Sequence, residues 1–189
     1  MTIEQDGPPE ASELALLLRR AKEGDTAAFE QILLQHDRRV FRMALRLLGC
    51  VEDAQDATQE VCLKLHKHLR RFDDSRALAP WLYRVTVNTC RDLASKRKLH
   101  VPLDSVDLAS PAEQAVRHNR EERKRVLWMG LRRLPEKERA ALVLRDIEEL
   151  PTAEVARILG SSEATVRSQV SSARLKIKRF VDSFRGRVK

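Results

Sequence analysis

Two amphipathic segments joined by a short glycine-containing turn constrain the fold of this chain more than any other feature. Residues 150–180 read LPTAEVARILGSSEATVRSQVSSARLKIKRF. Thr152 is predicted to cap a first helix and Gly160 to end it. Ser161 or Ser162 can then cap a longer second helix. Two helices joined by such a turn form a helix–turn–helix, a motif that binds duplex DNA.

The second of these helices has an apolar face and a cationic face. The apolar face consists of Val166, Val170, Ala173, Ile177, Phe180 and Val181. The opposite face consists of Arg167, Ser168, Ser171, Arg174 and Lys178. Small hydroxyl residues let a helix backbone enter the major groove, and arginine binds guanine edges or phosphates. We therefore predict a recognition helix; the alternative is a solvated basic helix.

Positive charge is concentrated in the same segment. The 189 residues carry a formal net charge of +8, which favours nucleic acid as a partner before an anionic membrane surface. From Arg167 to Lys189, eight lysine or arginine residues stand against one acid, Asp182. No apolar run approaches the ~18 residues of a membrane span, and the acidic N-terminus is unlike a signal peptide. We expect a cytoplasmic protein without membrane insertion.

Neither an enzyme site nor a cofactor or metal site is predicted. Cys50, Cys62 and Cys90 form no CxxC pair and are expected to be free thiols in a reducing compartment. The histidines do not pair with cysteines or acids at metal-ligand spacing. The serine-rich turn contains no nucleophile elbow. The expected fold class is all-α, because β-branched residues never alternate with polar ones over a useful length.

Helical periodicity divides the chain into two blocks. In the first block, helices are predicted from Ser12 to a break at residues 24–25, then to Gly49, then over 53–71, and again from near Pro80. Periodicity fades between 99 and 110, and a second block starts near Val126. This pattern predicts two small helical domains joined by a linker, the C-terminal one containing the helix–turn–helix. The expected boundaries are a disordered N-terminus over 1–10, domains over 11–98 and 123–189, and a linker over 99–122.

The third predicted helix has a core stripe and an acidic face. The stripe consists of Ala54, Ala57, Val61, Leu65, Leu69 and Phe72. The opposite face contains Asp53, Asp56, Gln59, Glu60, Lys64 and Lys67, with Leu63 among them. In a basic protein, carboxylates around an exposed leucine suit docking onto a basic protein surface. The alternative, which the pattern alone slightly favours, is a solvated face with pairs such as Glu60–Lys64.

The fourth predicted helix has a broad apolar band and a polar face. The band consists of Leu82, Tyr83, Val85, Val87, Cys90, Leu93 and Ala94; the polar face consists of Arg84, Asn88, Arg91, Ser95 and Lys98. Such a polar stripe can bind phosphates and the edge of an unstacked base. Basic residues 96–98 in a last turn also complement the helix dipole, which is the structural alternative. The polar loop 72–79 could form one wall of a pocket for a flipped base.

The order of these motifs resembles the extracytoplasmic-function (ECF, group IV) members of the bacterial sigma-70 family. Three segments carry the resemblance: DAQDATQEV, PWLYRVTVNTCRD and LPEKERAALVLRDIEELPTAEVARILGSSEATVRSQV. The resemblance implies an RNA polymerase sigma factor that binds core RNA polymerase, recognises the −10 and −35 elements of promoter DNA and promotes strand opening. It also implies an anti-sigma factor as a partner. The alternative is a helix–turn–helix regulator that binds an operator independently of core polymerase.

The resemblance also implies roles for individual residues. Contacts to the clamp helices of core polymerase are implied for Asp53, Asp56, Gln59, Glu60 and Leu63. Contacts to the −10 element are implied for Asp73, Asp74, Ser75, Arg76, Arg84, Asn88, Arg91, Lys96 and Lys98. Contacts to the −35 element are implied for Thr165, Arg167, Ser168, Ser171, Ser172, Arg174 and Lys178.

Overall fold

The computed structural model describes residues 9–73, 77–98 and 125–186, and every regular element within these ranges is helical. The N-terminal half contains α1 (Pro9–Lys22), α2 (Thr26–Leu48), α3 (Val51–His68), a 3₁₀ turn (Leu69–Arg71) and α4 (Leu78–Lys98). The C-terminal half contains α5 (125–132), α6 (Glu136–Leu142), a π-helical turn (Val143–Ile147), α7 (Thr152–Leu159) and α8 (Glu163–Gly186). The predicted all-α class is confirmed.

The two ends of α2 follow directly from its capping residues. The Asp25 carboxylate accepts a hydrogen bond from the Ala28 N–H at 3.1 Å, which satisfies one of the free donors of the first turn. Gly49 adopts the left-handed conformation with φ 75°, and its N–H donates to the Leu45 carbonyl at 2.7 Å. The predicted break at 24–25 and the predicted end at Gly49 are therefore confirmed.

Other helix ends differ from the predicted ones by a few residues. Helix α1 begins at Pro9, before Ser12 and inside the range expected to be disordered. Helix α4 begins at Leu78, two residues before Pro80. A proline in the first turn removes an N–H that has no helical partner, so a helix can start shortly before it. The whole linker predicted over 99–122 lies outside the described residues.

Buried aliphatic residues form two clusters, one of which joins the two halves. The first cluster lies among α1 to α4 and includes Ile32, Val61, Leu65 and Leu78. The second contains residues of α2 and α4 together with residues of α6, the π-helical turn, α7 and α8: Met43, Ala44, Tyr83, Val87, Ala141, Leu144, Val155 and Val166. The predicted core stripe of α3 is buried throughout. Among the described helices, none has the length and apolar content that crossing a bilayer requires.

Two buried threonines interrupt the predicted apolar band of α4. Thr86 and Thr89 are each only 1% exposed. The Thr86 hydroxyl donates to the Leu82 carbonyl at 2.7 Å, and the Thr89 hydroxyl accepts from the Lys64 ammonium at 2.9 Å. Because both hydroxyls are hydrogen-bonded, their burial carries little penalty. The second bond also connects α3 to α4.

Acidification should destabilise the fold through His36. This residue of α2 lines a small cavity together with Arg39 and with Tyr83 of α4, and its pKa is lowered by burial first and by the Arg39 charge second. The unfolded chain therefore takes up a proton at a higher pH than the folded chain does. The free energy of unfolding should fall as the pH drops through about 6.5.

This contribution can be measured by urea unfolding at pH about 7.5 and about 5.5. The wild type and His36→Gln are compared at both pH values. His36→Gln should lose less stability on acidification than the wild type, because Gln does not titrate. The exposed His66 offers a control, His66→Gln. An acid-induced loss in His36→Gln as large as in the wild type would contradict the assignment.

Candidate functional site

The turn between α7 and α8 is fixed by backbone conformation and by a serine cap. Gly160 adopts φ 62°, and its N–H donates to the Ala156 carbonyl. Among the described residues beyond its neighbours, no atom lies within 4 Å of a Cβ built there, so glycine is needed for the conformation and not for space. The Ser162 hydroxyl accepts from the Thr165 N–H at 3.1 Å. The predicted end at Gly160 and cap at Ser162 are confirmed.

The start of α7 differs from the prediction, because Thr152 does not cap the helix. Pro151 occupies the cap position without a side-chain hydrogen bond, and Thr152 is the first helical residue. The Pro151 carbonyl accepts from the N–H groups of Glu154 and Val155 at 2.9 and 3.0 Å. Proline presets φ near the helical value, so the chain enters the helix here without a hydroxyl cap.

The helix–turn–helix has the buried back and exposed front that a recognition helix requires. Val155 and Ile158 of α7 are buried, as are Val166, Val170 and Ala173 of α8. The exposed residues of α8 in this region include Thr165, Arg167, Ser168, Ser171, Arg174 and Lys178. The predicted division of α8 into an inward and an outward face is therefore seen in its burial pattern.

A groove at the front of α8 includes two residues from outside that helix. It is lined by Arg145, Thr152, Val166, Arg167, Val170, Ser171 and Arg174. Arg145 comes from the π-helical turn that precedes α7. The helical periodicity of α7 and α8 gives no information on this turn, so Arg145 was missed. Its position adds a third guanidinium to the groove.

The two arginines of α8 that line the groove are each paired with a carboxylate. Arg174 binds Asp146 through two nitrogens, Nε to Oδ2 at 2.8 Å and Nη2 to Oδ1 at 2.6 Å. These hydrogen bonds raise the pKa of Arg174. Arg167 binds Glu163 at 2.9 Å. Both arginine side chains are more than 60% exposed, and exposed pairs contribute about 0.2–1 kcal/mol, so a phosphate can displace either carboxylate.

Ser172 differs from the other residues predicted to contact DNA on α8. It is half-buried, and its hydroxyl donates to the Glu138 carboxylate at 3.1 Å. Glu138 also accepts from Lys176 at 2.7 Å. The structure therefore places Ser172 on the flank of α8 that packs against α6.

The polar face of α4 presents Arg84, Asn88 and Arg91 at spacings of four and three residues. Arg84 and Asn88 are exposed, and Arg91 is half-buried. Arg84 donates to the Arg157 carbonyl at 3.1 Å, and Arg91 donates to Glu136 at 3.0 Å. Both partners belong to the C-terminal half.

The remaining residues predicted for this surface flank α4. Asp73, before the helix, and Lys96, in its last turn, are exposed. Lys98 is the last residue of α4. Asp74, Ser75 and Arg76 lie outside the described residues.

The acidic face of α3 is open to solvent. Asp56, Gln59 and Glu60 are exposed, Asp53 is half-buried, and Leu63 is 53% exposed. Glu60 also lies 3.6 Å from the Lys64 ammonium one turn later, so the predicted i, i+4 pair is present. The structure brings an exposed leucine and a group of acidic and amide side chains together on one helix, as predicted.

This acidic face borders a groove between α2 and α3. The groove is lined by Asp37, Arg38, Phe41, Gln55, Asp56, Thr58, Gln59 and Cys62. Cys62 is a half-buried free thiol whose pKa is raised by burial first and by the Asp37 charge second. The α2 side of the groove was missed, because Phe41 fits the core periodicity of α2. The three cysteines are free, as predicted.

The cap of α8 can be tested with the two serines of the turn. Ser162→Ala removes the hydrogen bond to the Thr165 N–H and should lower the free energy of unfolding by about 1 kcal/mol. The Ser161 hydroxyl is buried and, among the described residues, has no hydrogen-bond partner. Ser161→Ala should therefore be neutral or slightly stabilising. Urea unfolding distinguishes the two variants, and equal losses would contradict the cap assignment.

Two family models match the chain. The model for Sigma-70 region 2 matches residues 32–99, and the model for Sigma-70, region 4 matches residues 124–177. The first match spans α3 and α4 with most of α2; the second spans α5 to α7 and most of α8. The described surfaces of α3 and α4 lie within the first match, and the front of α8, apart from Lys178, lies within the second.

Individual relatives cover most of the chain. The ECF RNA polymerase sigma factor SigM of Mycobacterium tuberculosis (strain H37Rv) is 34% identical over 181 residues, which cover 93% of this chain and 87% of the relative. The ECF RNA polymerase sigma factor SigW of Bacillus subtilis (strain 168) is 27% identical over 172 residues, which cover 83% of this chain and 90% of the relative. The solved structure of CnrH in complex with the cytosolic domain of CnrY is similar in fold, with a TM-score of 0.65 at 23% identity, covering 90% of this chain and 98% of that chain.

Proposed function

Since the chain belongs to the sigma-70 family, as a member of its ECF group, we propose that it binds core RNA polymerase, recognises the −10 and −35 elements of promoters and promotes strand opening. The observation that carries this proposal is the separation of surfaces: an acidic exposed face on α3 and a cationic exposed front on α8. One surface suits a protein partner and the other suits DNA.

Core polymerase is proposed to dock on the acidic face of α3. Asp53, Asp56, Gln59 and Glu60 would face the clamp helices, with Leu63 as the apolar anchor. An exposed leucine surrounded by polar groups matches the apolar centre and polar rim of a protein interface. The adjacent groove between α2 and α3 could extend the contact, because Phe41 and Cys62 supply apolar surface there.

Recognition of the −10 element is proposed for α4 and the loop that precedes it. Asp73, Asp74, Ser75 and Arg76, with Asn88, would surround a base flipped out of the melted strand; Arg84, Arg91, Lys96 and Lys98 would bind its phosphates. Flipping costs a few kcal/mol of unstacking. Phosphate contacts and stacking along the single strand can supply that free energy.

Recognition of the −35 element is proposed for α8. Residues Thr165, Arg167, Ser168, Ser171, Ser172, Arg174 and Lys178 would contact the major groove and its phosphates, with Arg145 at the border of the same groove. Ser172 would have to exchange its bond to Glu138 for one to DNA. Both elements are on one chain, so binding of either raises the local concentration of the other.

The two activities are proposed to reside in separate domains, residues 11–98 and 123–189, joined through 99–122. The chain would catalyse no reaction of its own, because polymerase performs the chemistry. Its place of action would be the cytoplasm. An anti-sigma factor is the further partner that family membership implies. Transcription of genomic fragments with core polymerase tests the whole proposal, and no promoter-specific transcript above the core-only background would contradict it.

Leu63→Ala should weaken binding to core polymerase by about 1–2 kcal/mol, since truncating an interface anchor leaves its pocket unfilled. The matched control is Leu34→Ala, because Leu34 is a more exposed leucine, at 72%, on α2. Affinity for core polymerase can be measured by fluorescence anisotropy, with helix content checked by circular dichroism. Equal affinities for the two variants would exclude Leu63 as an anchor.

Arg167→Ala should make the apparent free energy of −35-dependent initiation less favourable by about 1–3 kcal/mol, because a bidentate contact to a base is lost. Affinity for core polymerase should not change. Arg179→Ala removes the same charge from another exposed position of α8 and serves as the control. Initiation is measured on a promoter found in the genomic screen. A parallel fall in core binding would disprove the division of labour between α3 and α8.

A further inference from the structure

A buried hydroxyl in the middle of α4 is bonded to a charged residue of a different helix. Thr89 is only 1% exposed, and its hydroxyl accepts a hydrogen bond from the Lys64 ammonium of α3 at 2.9 Å. A hydrogen bond with one charged partner is stronger than a bond between two neutral groups. Because Thr89 is removed from water, loss of this bond would leave a buried polar group without compensation from solvent. The bond therefore ties α4 firmly to α3.

A second buried threonine on the same helix shows what distinguishes Thr89. Thr86 is equally buried, at 1% exposure, but its hydroxyl donates to the Leu82 carbonyl within α4 itself. Threonines in helices commonly satisfy their hydroxyls in this way, through the carbonyl four residues earlier. The bond of Thr86 stays within one helix, whereas the bond of Thr89 joins two helices.

Lys64 extends to Thr89 from the acidic face of α3. Its ammonium also lies 3.6 Å from the Glu60 carboxylate one turn earlier, and its side chain is 32% exposed. An unpartnered lysine side chain samples many rotamers, because its stem is long and flexible. Two partners, the Glu60 carboxylate and the Thr89 hydroxyl, hold this ammonium in place. The helix proposed to bind core polymerase and the helix proposed to bind the −10 element are thus joined through one charged group.

Apolar packing alone would define the rotation of α4 against α3 only loosely. Val61 and Leu65 of α3 belong to the same buried cluster as Leu82 of α4. Burial of such side chains is favourable in many orientations, because the hydrophobic effect has no direction. A buried polar contact is satisfied in one arrangement, and single buried polar residues fix the register of paired helices in coiled coils. The bond from Lys64 to Thr89 therefore selects one rotation of α4.

The rotation of α4 determines where Asn88 points. Asn88 is the sequence neighbour of Thr89 and is exposed, so the bond that holds Thr89 inward holds Asn88 outward. A helix with its side chains is about 10–12 Å across, so a rotation of about 20° moves a side-chain tip by roughly 2 Å. Hydrogen-bond lengths vary by only about 0.5 Å. A small rotation of α4 would therefore take the Asn88 amide out of reach of a base edge.

We infer that Lys64 is a positioning residue for the −10 element: through Thr89 it fixes the rotation of α4 and holds Asn88 where a flipped base can be bound. Lys64 itself does not have to touch DNA for this role. The inference rests on the proposed function for the role of Asn88. It predicts that loss of the bond between the helices lowers selectivity among bases at the −10 element and leaves selectivity at the −35 element unchanged.

The two buried threonines provide a matched pair of variants. Thr89→Val replaces the acceptor by a methyl group of similar shape and leaves the Lys64 ammonium with Glu60 and water. Thr86→Val makes the same replacement where the hydroxyl bonds within α4. Holoenzyme assembled from core polymerase and each variant transcribes a promoter found in the genomic screen, together with derivatives in which each −10 or −35 base pair is replaced in turn. Selectivity at a position is the ratio of initial transcription from the original promoter to that from the derivative.

Thr89→Val should lower selectivity at one or more −10 positions by about fivefold or more, the lower end of what one good base contact provides. Selectivity at the −35 element should not change, and Thr86→Val should match the wild type at both elements. A variant that is merely less stable forms less holoenzyme and loses transcription equally from every template, so its ratios stay constant. Unchanged −10 selectivity in Thr89→Val would overturn the positioning role.

Substitutions of Lys64 test the other end of the bond. Lys64→Met lacks the donor and should lose as much −10 selectivity as Thr89→Val, whereas Lys64→Arg retains a donor and should recover most of it. Because either change removes the same bond, the double variant should lose no more selectivity than each single variant, and additive losses would contradict the inference. Lys67→Met removes an equal charge from an exposed position of α3 and should keep the selectivity of the wild type.

Wild-type holoenzyme separates failure of this inference from failure of the proposed function. Wild-type selectivity at the −35 element but not at the −10 element would contradict the proposed role of Asn88, and the inference with it. Wild-type selectivity at both elements that survives in Thr89→Val would overturn the inference alone. Affinity for core polymerase, measured by fluorescence anisotropy, should be the same for the wild type and Thr89→Val, because Thr89 is buried.

Discussion

Burial of narrow aliphatic stripes is the constraint on which the rest of this protein depends. Aromatic residues make up only 4% of the chain, so leucine, valine, isoleucine and alanine supply most of both clusters. Burial of apolar surface contributes about 25 cal/mol per Å² to stability. Because these cores are small, several helices must each bury one face to stabilise the fold. Their opposite faces remain in water and are available for charge. The acidic face of α3 and the cationic front of α8 both follow from this requirement.

Features that depend on residues three or four apart could be predicted from the sequence. The stripe from Ala54 to Phe72 repeats at helical spacing and is buried as predicted. Gly160 and Ser162 act through their own turn, so their roles follow from backbone geometry and local hydrogen bonds. The outward position of Arg167 follows from the inward position of Val166. In each case the information is contained within one or two helical turns.

Features that depend on contacts between distant segments could not be predicted in this way. Periodicity indicates that a face is buried but not what covers it. The Glu148 carboxylate accepts hydrogen bonds from Arg39 and Arg46, which lie 109 and 102 residues away in the sequence. No local pattern connects these residues. Thr89 interrupts the apolar band of α4, and its burial is explained only by the hydrogen bond that Lys64 donates to it from α3. Arg145 joins the front of α8 only because a π-helical turn brings it there.

Intramolecular partners occupy the arginines on which the proposed DNA contacts rely most. Arg84 binds a carbonyl, and three others bind carboxylates: Arg91 with Glu136, Arg167 with Glu163 and Arg174 with Asp146. Each exposed pair is worth only about 0.2–1 kcal/mol, yet DNA must replace all of them to use the whole surface. A polyanion that lacks both promoter elements would engage few of these sites at once and would gain little binding free energy. If the proposed contacts are right, a promoter that satisfies both elements would replace every partner with a stronger contact, and a chain of net charge +8 would then discriminate among anionic surfaces.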